Sequence, residues 1–158
     1  MTVSRETNTD SHKCFATAVR KASRRLTKLY DDALAPSGLR STQFSILAEL
    51  ATRSAPPTLM ELAEAMVSDR SSLGHALRPL VRDGYVVLRR GKTDRRTQRI
   101  VLTGRGHKKF RESMTYWRTA QEAFASLYGD EWSETLRAAV LRIAHDDRLS
   151  AMTREGAA

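Results

Sequence analysis

The sequence is short of cysteine, proline and acidic residues, and it contains no long apolar run. Its single cysteine, Cys14, can form no disulfide within the chain and cannot anchor a cysteine-rich zinc site, so the fold is expected to hold by burial alone. No stretch nears the roughly 18 consecutive apolar residues of a membrane-spanning helix, which excludes that class, and no membrane partner is expected. Met1 to His12 are polar and lack the apolar core of a secretory signal, so the expected compartment is the cytoplasm. The four histidines, His12, His75, His107 and His145, are scattered, and there is no glycine-rich phosphate loop. We therefore expect no enzyme, no metal site and no cofactor. His12 with Cys14 would supply only two ligands at a chain end.

The shortage of acid is uneven. The chain carries 27 Lys and Arg against 18 Asp and Glu, a formal charge of +9. Residues 68 to 105 hold ten basic and three acidic side chains, while 1 to 67 hold nine and seven and 106 to 158 hold eight and eight. Basic residues placed for solubility would spread in proportion to length; concentration in one window marks an anionic partner, nucleic acid above all. At 158 residues the chain is long enough for about one domain.

From about Ser11 to Leu34 the apolar positions Phe15, Val19, Ala22, Leu26, Leu29 and Ala33 recur at helical intervals among basic residues, which predicts an amphipathic helix ended by Pro36-Ser37-Gly38. A second helix, capped by Ser41 or Thr42, carries Phe44, Ile46, Leu47 and Leu50 as far as Ala55-Pro56-Pro57. Thr58-Leu59-Met60-Glu61 has the form of a capping box and opens a short helix to about Ala65, with Leu59, Leu62 and Ala63 inward. After a break at Met66-Val67-Ser68, Ser68 or Asp69 caps another. This one turns Leu73, Leu77, Leu80 and Val81 to the core and Arg70, Ser71, Gly74, His75, Arg78 and Arg82 away from it. Two helices across so tight a turn form a helix-turn-helix. Pro79 removes one backbone bond from the second, which either bends it or is only a late-turn irregularity. Gly84 closes that helix, and strands Tyr85 to Arg90 and Gln98 to Thr103 flank a polar loop, Gly91 to Thr97. Helix, turn, helix and basic hairpin make a winged helix.

Beyond Gly104 and Gly106, the residues Phe110, Met114, Trp117, Gln121, Phe124 and Tyr128 form the narrow seam of a long helix, and Asp130 to Arg148 predict a last one. Such a seam needs a partner. The first helix and the last two can serve one another across a two-fold axis, which predicts a homodimer with Phe15, Phe110, Trp117, Phe124, Trp132, Leu136, Val140 and Ile143 in its interface. The expected fold is a single, mainly α domain over 1–158 with a small β-hairpin wing. About 38–103 form the winged-helix DNA-binding lobe, and about 11–35 and 104–149 the dimerisation helices. Residues 1 to about 10 and 151 to 158 look disordered.

In a helix-turn-helix the second helix enters the major groove. That assigns Arg70, Ser71, Ser72, His75 and Arg78 to base edges and nearby phosphates, with Arg78 able to fork onto a guanine. Arg95 and Arg96 of the loop are long enough to enter a minor groove. Lys92, Arg89, Arg90 and Arg99 suit phosphate contacts, which set affinity rather than sequence choice. Asp94 would be repelled by phosphate and is assigned to hold the loop by pairing with an arginine.

The run Asp94-Arg95-Arg96-Thr97-Gln98-Arg99-Ile100-Val101-Leu102-Thr103-Gly104-Arg105-Gly106 resembles the wing signature D-x-R-x-x-x-[IL]-x-L-T-x-x-G of the MarR family, matching all six fixed positions. The resemblance extends to the Leu-Tyr-Asp stretch at Tyr30, to Gly38-Leu39 ahead of Gln43-Phe44, and to Leu77-x-x-Leu80-x-x-x-Gly84. It implies a homodimeric winged-helix regulator, a repressor of a pseudo-palindromic double-stranded operator, released by a small molecule or an oxidant. It favours Arg96 in the minor groove. It also implies an effector pocket between the dimerisation helices and the DNA-binding lobe, for which Arg20, Tyr30, Phe44, His107 and Met114 are the candidates. An arginine with aromatic walls would suit an anionic aromatic or phenolic ligand. One branch of the family senses hydroperoxides through a cysteine near the start of its first helix, where Cys14 stands here. The activating tyrosines are not matched, however, with Ala18 at the fourth residue on, and a buried, inert thiol is the expected state. Two rivals remain: an architectural protein that coats DNA without an operator, and an RNA-binding module. The polar groove residues argue against the first and the core placement of the aromatics against the second.

Overall fold

The computed structural model describes residues 13–91, 97–149 and 151. Helix α1 (Phe15–Leu34) ends in a 3-10 turn, Ala35–Ser37, and Gly38 takes the left-handed conformation (φ 74°) that the reversal requires. Helix α2 (Ser41–Thr52) then starts without help from either expected hydroxyl. Ser41 is already helical, and its N–H donates to Asp31 Oδ1 of α1 at 2.7 Å. Asp31 also holds Arg40, with Nη1 to Oδ2 at 3.2 Å. Burial raises the pKa of this carboxyl, but the hydrogen bonds from Ser41 and the Arg40 charge outweigh it and leave the group below the usual carboxylate range.

Helix α3 (Leu59–Ala65) opens on the expected capping box: the Glu61 N–H donates to Thr58 Oγ1 at 3.1 Å and the Thr58 N–H to Glu61 Oε2 at 2.6 Å. Asp69, not Ser68, caps α4 (Arg70–Arg82) by accepting the Ser72 N–H at 2.8 Å. The helix runs through Pro79, which costs it the N–H that would serve the His75 carbonyl. Strands β1 (Val86–Arg90) and β2 (Gln98–Leu102) pair antiparallel with Val86 opposite Leu102 and Arg90 opposite Gln98. The Ile100 N–H donates to the Pro57 carbonyl at 2.8 Å, which ties the wing to the segment before α3.

Helix α5 (Gly104–Tyr128) begins at Gly104, so both glycines lie in its first turn rather than ahead of it. Helix α6 (Asp130–Ala144) stops four residues short of the expected Arg148, because Asp146 caps a separate helical turn by accepting the Arg148 N–H at 3.1 Å. Of the two ends expected to be disordered, 1–10 and 152–158 lie outside the described residues, while Ala151 is helical.

One core is drawn from residues 39 to 100: Leu39, Ile46, Leu47, Leu50, Leu62, Leu73, Leu77, Leu80, Val86 and Ile100 are its large members. Helices α2 to α4 and the hairpin thus share a centre, with α5 joined to it through Phe110. Val81, expected inward, is 37% exposed; it lines a groove with Leu88 between α4 and the hairpin. The other helices form a second region in which burial is thin. Helix α6 has no buried residue, and the first half of α1 is largely exposed. No described helix is long and apolar enough to cross a membrane.

Candidate nucleic-acid interface

Helix α4 sorts its side chains by face. Leu73, Leu77 and Leu80 are buried, and Arg70, Ser71, Ser72, His75 and Arg78, the five expected to meet DNA, are all exposed. The turn before it contains Val67 at φ 48°, a conformation that β-branched residues rarely adopt. The Ser72 hydrogen bond holds the Asp69 carboxyl below its usual pKa, so the cap is ionised at neutral pH and favours the positive helix end. Arg70 lies against Met60 of α3, Nη2 to Sδ at 3.0 Å. Arg82, at the far end, is paired with Asp83 at 2.8 Å.

The hairpin arginines separate into two kinds. Arg89 and Arg90 are exposed on β1, with no side-chain partner among the described residues. Arg99 on β2 is held instead by Glu61, Nη1 to Oε2 at 2.9 Å, and by the Pro56 carbonyl at 3.3 Å. Its expected phosphate contact would compete with these bonds. Lys92, Asp94, Arg95 and Arg96 lie outside the described residues.

The second half of the wing signature is a joint. Thr103 Oγ1 donates to the Gly84 carbonyl at 2.8 Å, with Tyr85 O at 3.1 Å, and accepts the Gly106 N–H at 2.9 Å, so one hydroxyl caps α5 and ties it to the end of α4. Gly106 is buried there. A Cβ on it would collide with the Tyr85 carbonyl oxygen and come within 2.6 Å of Leu102 Cδ1.

Above this lobe, α1, α2, α5 and α6 line a cavity of about 780 Å³ that is open to solvent on one side. Of the five residues expected at an effector pocket, Tyr30 and Phe44 line this cavity; Arg20 and His107 are exposed outside it and Met114 is half-buried elsewhere. Ser41, Thr42, Ser45 and Met66, which the sequence pattern does not single out, are also in its wall. The two serines and Thr42 repeat at the three- and four-residue intervals of one helix face, a signal masked by the strong apolar pattern of α2. Tyr30 Oη donates to Gln121 Oε1 at 2.5 Å and so links α1 to α5, and burial pushes its phenol above the ordinary pKa.

The residues assigned to a dimer interface also divide. Phe110 and Trp117 pack inside the chain on Phe44, at ring distances of 5.4 and 6.0 Å. Leu136 and Val140 line the cavity. Phe124, Tyr128 and Trp132 form a ring cluster joining α5 to α6, and Phe15 (89% exposed) and Ile143 (56%) face outward. Cys14, expected buried, is exposed just before α1, and its pKa is lowered, chiefly by the Thr17 hydroxyl.

The model of the MarR family matches residues 37–97. The Mycobacterium tuberculosis transcriptional regulator MosR, in a crystal structure with DNA, is 33% identical. That match covers 89% of this chain and 98% of MosR, with a TM-score of 0.75. CouR from Rhodococcus jostii RHA1, bound to p-coumaroyl-CoA, shares the fold at 19% identity, 84% and 92% coverage and a TM-score of 0.71. Apo MarR from E. coli does so at 18% identity, 82% and 96% coverage and a TM-score of 0.67. No curated protein sequence matches the chain.

Proposed function

Because the chain belongs to the MarR family of DNA-binding transcriptional regulators, we propose that it is a repressor that reads a pseudo-palindromic operator as a homodimer and leaves it when a small molecule binds. The observation that carries this is the sorting of α4, which spends its leucines on the core and presents Arg70, Ser71, Ser72, His75 and Arg78 to solvent beside the basic strand β1. Hydroxyls, an imidazole and guanidinium groups at the start of a capped helix are what base readout in a major groove uses. The 33% identical relative is described in complex with DNA.

A second copy of the chain supplies what α1 and α6 lack. Phe15, Leu127, Tyr128, Trp132 and Ile143 are 49 to 89% exposed, large apolar side chains that a second copy would cover. The two recognition helices would then stand about 34 Å apart, one turn of DNA. The cavity lies between that dimerising layer and the winged helix, so a ligand preferring one arrangement of the two shifts the spacing.

The test is titration of the full chain against the DNA upstream of its own gene and a scrambled duplex of equal length at physiological salt. A preference above about a hundredfold is expected. Equal affinities that both collapse with salt would sink operator reading. A second reading, a thiol sensor, is favoured by the exposure and lowered pKa of Cys14. It predicts that cumene hydroperoxide releases the DNA and that Cys14→Ser does not respond.

A further inference from the structure

We propose that Met60 is a site of reversible oxidation, and that its sulfoxide draws Arg70 away from DNA and so weakens operator binding. The proposal rests on reading α4 as the helix that meets DNA.

The contact is the first argument. Met60, the second residue of α3, and Arg70, the first of α4, meet across the helix-turn-helix, with Nη2 donating to Sδ at 3.0 Å. A thioether is a weak acceptor. It is nevertheless the one side-chain partner of Arg70 among the described residues, since Glu64 and Asp69 border the same depression and form no ion pair with it. DNA displaces so weak a partner easily. Oxidation changes the balance, because a sulfoxide oxygen carries partial negative charge and a guanidinium donates to it in a charge-assisted bond. The oxidised side chain then competes with DNA for the same cation.

Exposure is the second argument. Of the three methionines among the described residues, Met60 alone is exposed (49%), while Met66 and Met114 are partly covered. It borders an open depression between the α3–α4 turn and the end of α6, so a small oxidant reaches the sulfur from solvent. Met60 lies outside the core cluster, to which Met66 belongs. A sulfoxide at Met60 therefore stays in water and acts on DNA binding, whereas one at Met66 would disturb packing.

The oxidant is a hypohalous acid. With hypochlorous acid the thioether loses two electrons and gains an S–O bond, the Cl–O bond breaks, and chloride and a proton leave. Methionine sulfoxide reductases reverse the step: the oxygen leaves as water while a dithiol becomes a disulfide.

The test uses the full chain carrying Cys14→Ser, so that no thiol responds. Limited hypochlorous acid should oxidise Met60 ahead of Met66 and Met114, as read by peptide mass spectrometry. It should lower operator affinity by about fivefold or more in anisotropy titrations and leave the unfolding midpoint in place. Reductases of both stereospecificities, with dithiothreitol, should restore the affinity. Met60→Leu and Arg70→Ala should each keep their own affinity through the same treatment. Met60→Gln, whose amide oxygen stands in for that of the sulfoxide, should bind operator about fivefold more weakly than Met60→Leu with no oxidant present. Unchanged affinity with Met60 fully oxidised, equal loss in Met60→Leu, or oxidation of Met66 and Met114 that leaves Met60 intact would overturn the proposal. An untreated chain with no preference for operator over scrambled DNA would instead overturn the reading of α4 on which it rests.

Discussion

Arg89 and Arg99 face each other across the hairpin ladder, and the Glu61 carboxylate stands 2.9 Å from Arg99. Two like charges directly opposite weaken a strand pair. Glu61, whose other task is to close the capping box of α3, gives one of them a counter-ion and leaves Arg89 as the outward cation. The basic excess of the window is thus divided between a structural pair and charge available to DNA.

Glu61→Gln keeps an acceptor for the Thr58 N–H and removes the charge. It should lower the unfolding midpoint at pH 7, by an amount that shrinks as salt screens the wing. The Glu61 pKa is depressed, first by the Thr58 backbone hydrogen bond and then by Thr58 and Arg99. A depressed carboxyl stabilises the fold above its unfolded pKa and loses that effect as pH falls through the folded value. The gap between natural chain and variant should therefore close as pH falls below the ordinary carboxylate range. A gap that persists in acid would show that charge is not its cause.

Gly106→Ala should destabilise by about 1–3 kcal/mol in urea unfolding, since the methyl meets the Tyr85 backbone carbonyl, which cannot move cheaply. Gly104→Ala is the control: no atom lies within 4 Å of its Cβ position, so no loss is expected. Equal effects would mean that helix propensity, not the close approach, matters.

Arg78 and Arg90 separate the two kinds of DNA contact. Arg78→Ala should cost about 1–3 kcal/mol on the operator and much less on scrambled DNA, because a base contact is lost. Arg90→Ala should weaken both alike and flatten the salt dependence by about one unit of slope. Anisotropy titrations at several salt concentrations distinguish them, and the opposite pattern would exchange their roles.

The helices and strands were legible in the sequence because their signals are local: the Thr58 to Glu61 capping box, the leucines of α4, Gly84 after it. What escaped came from residues distant in the chain. The Ser41 N–H at the start of α2 is taken by Asp31, ten residues back on another helix, so no pattern around Ser41 could announce that contact. Val81 sits at the edge of an apolar stripe, and periodicity alone cannot say whether the hairpin covers it. Periodicity makes the α5 seam one surface with one partner. In the structure its first half, Phe110 and Trp117, meets Phe44, because α2 folds back across it, and its second half meets Trp132 of α6. Arg20 falls on the exposed face of α1 while Val19, Ala22 and Tyr30 turn to the cavity, a difference of one helical position.

That division of the seam makes a testable distinction between two aromatic or apolar positions ten residues apart. Leu127, 78% exposed near the end of α5, has no role in its own chain's described core, so Leu127→Glu should leave the fold intact and act on the partner contact alone. Trp117 is stacked on Phe44 beneath the cavity, and a glutamate there buries a charge without a counter-ion. Sedimentation should show Leu127→Glu as a folded monomer, its dimer weakened about a hundredfold or more by placing charge in an apolar contact. It should lose operator affinity because a single recognition helix reads half a site. Trp117→Glu should instead lower the unfolding midpoint at every protein concentration. A stable Leu127→Glu dimer would move the interface away from the end of α5, and a stably folded Trp117→Glu monomer would return Trp117 to it.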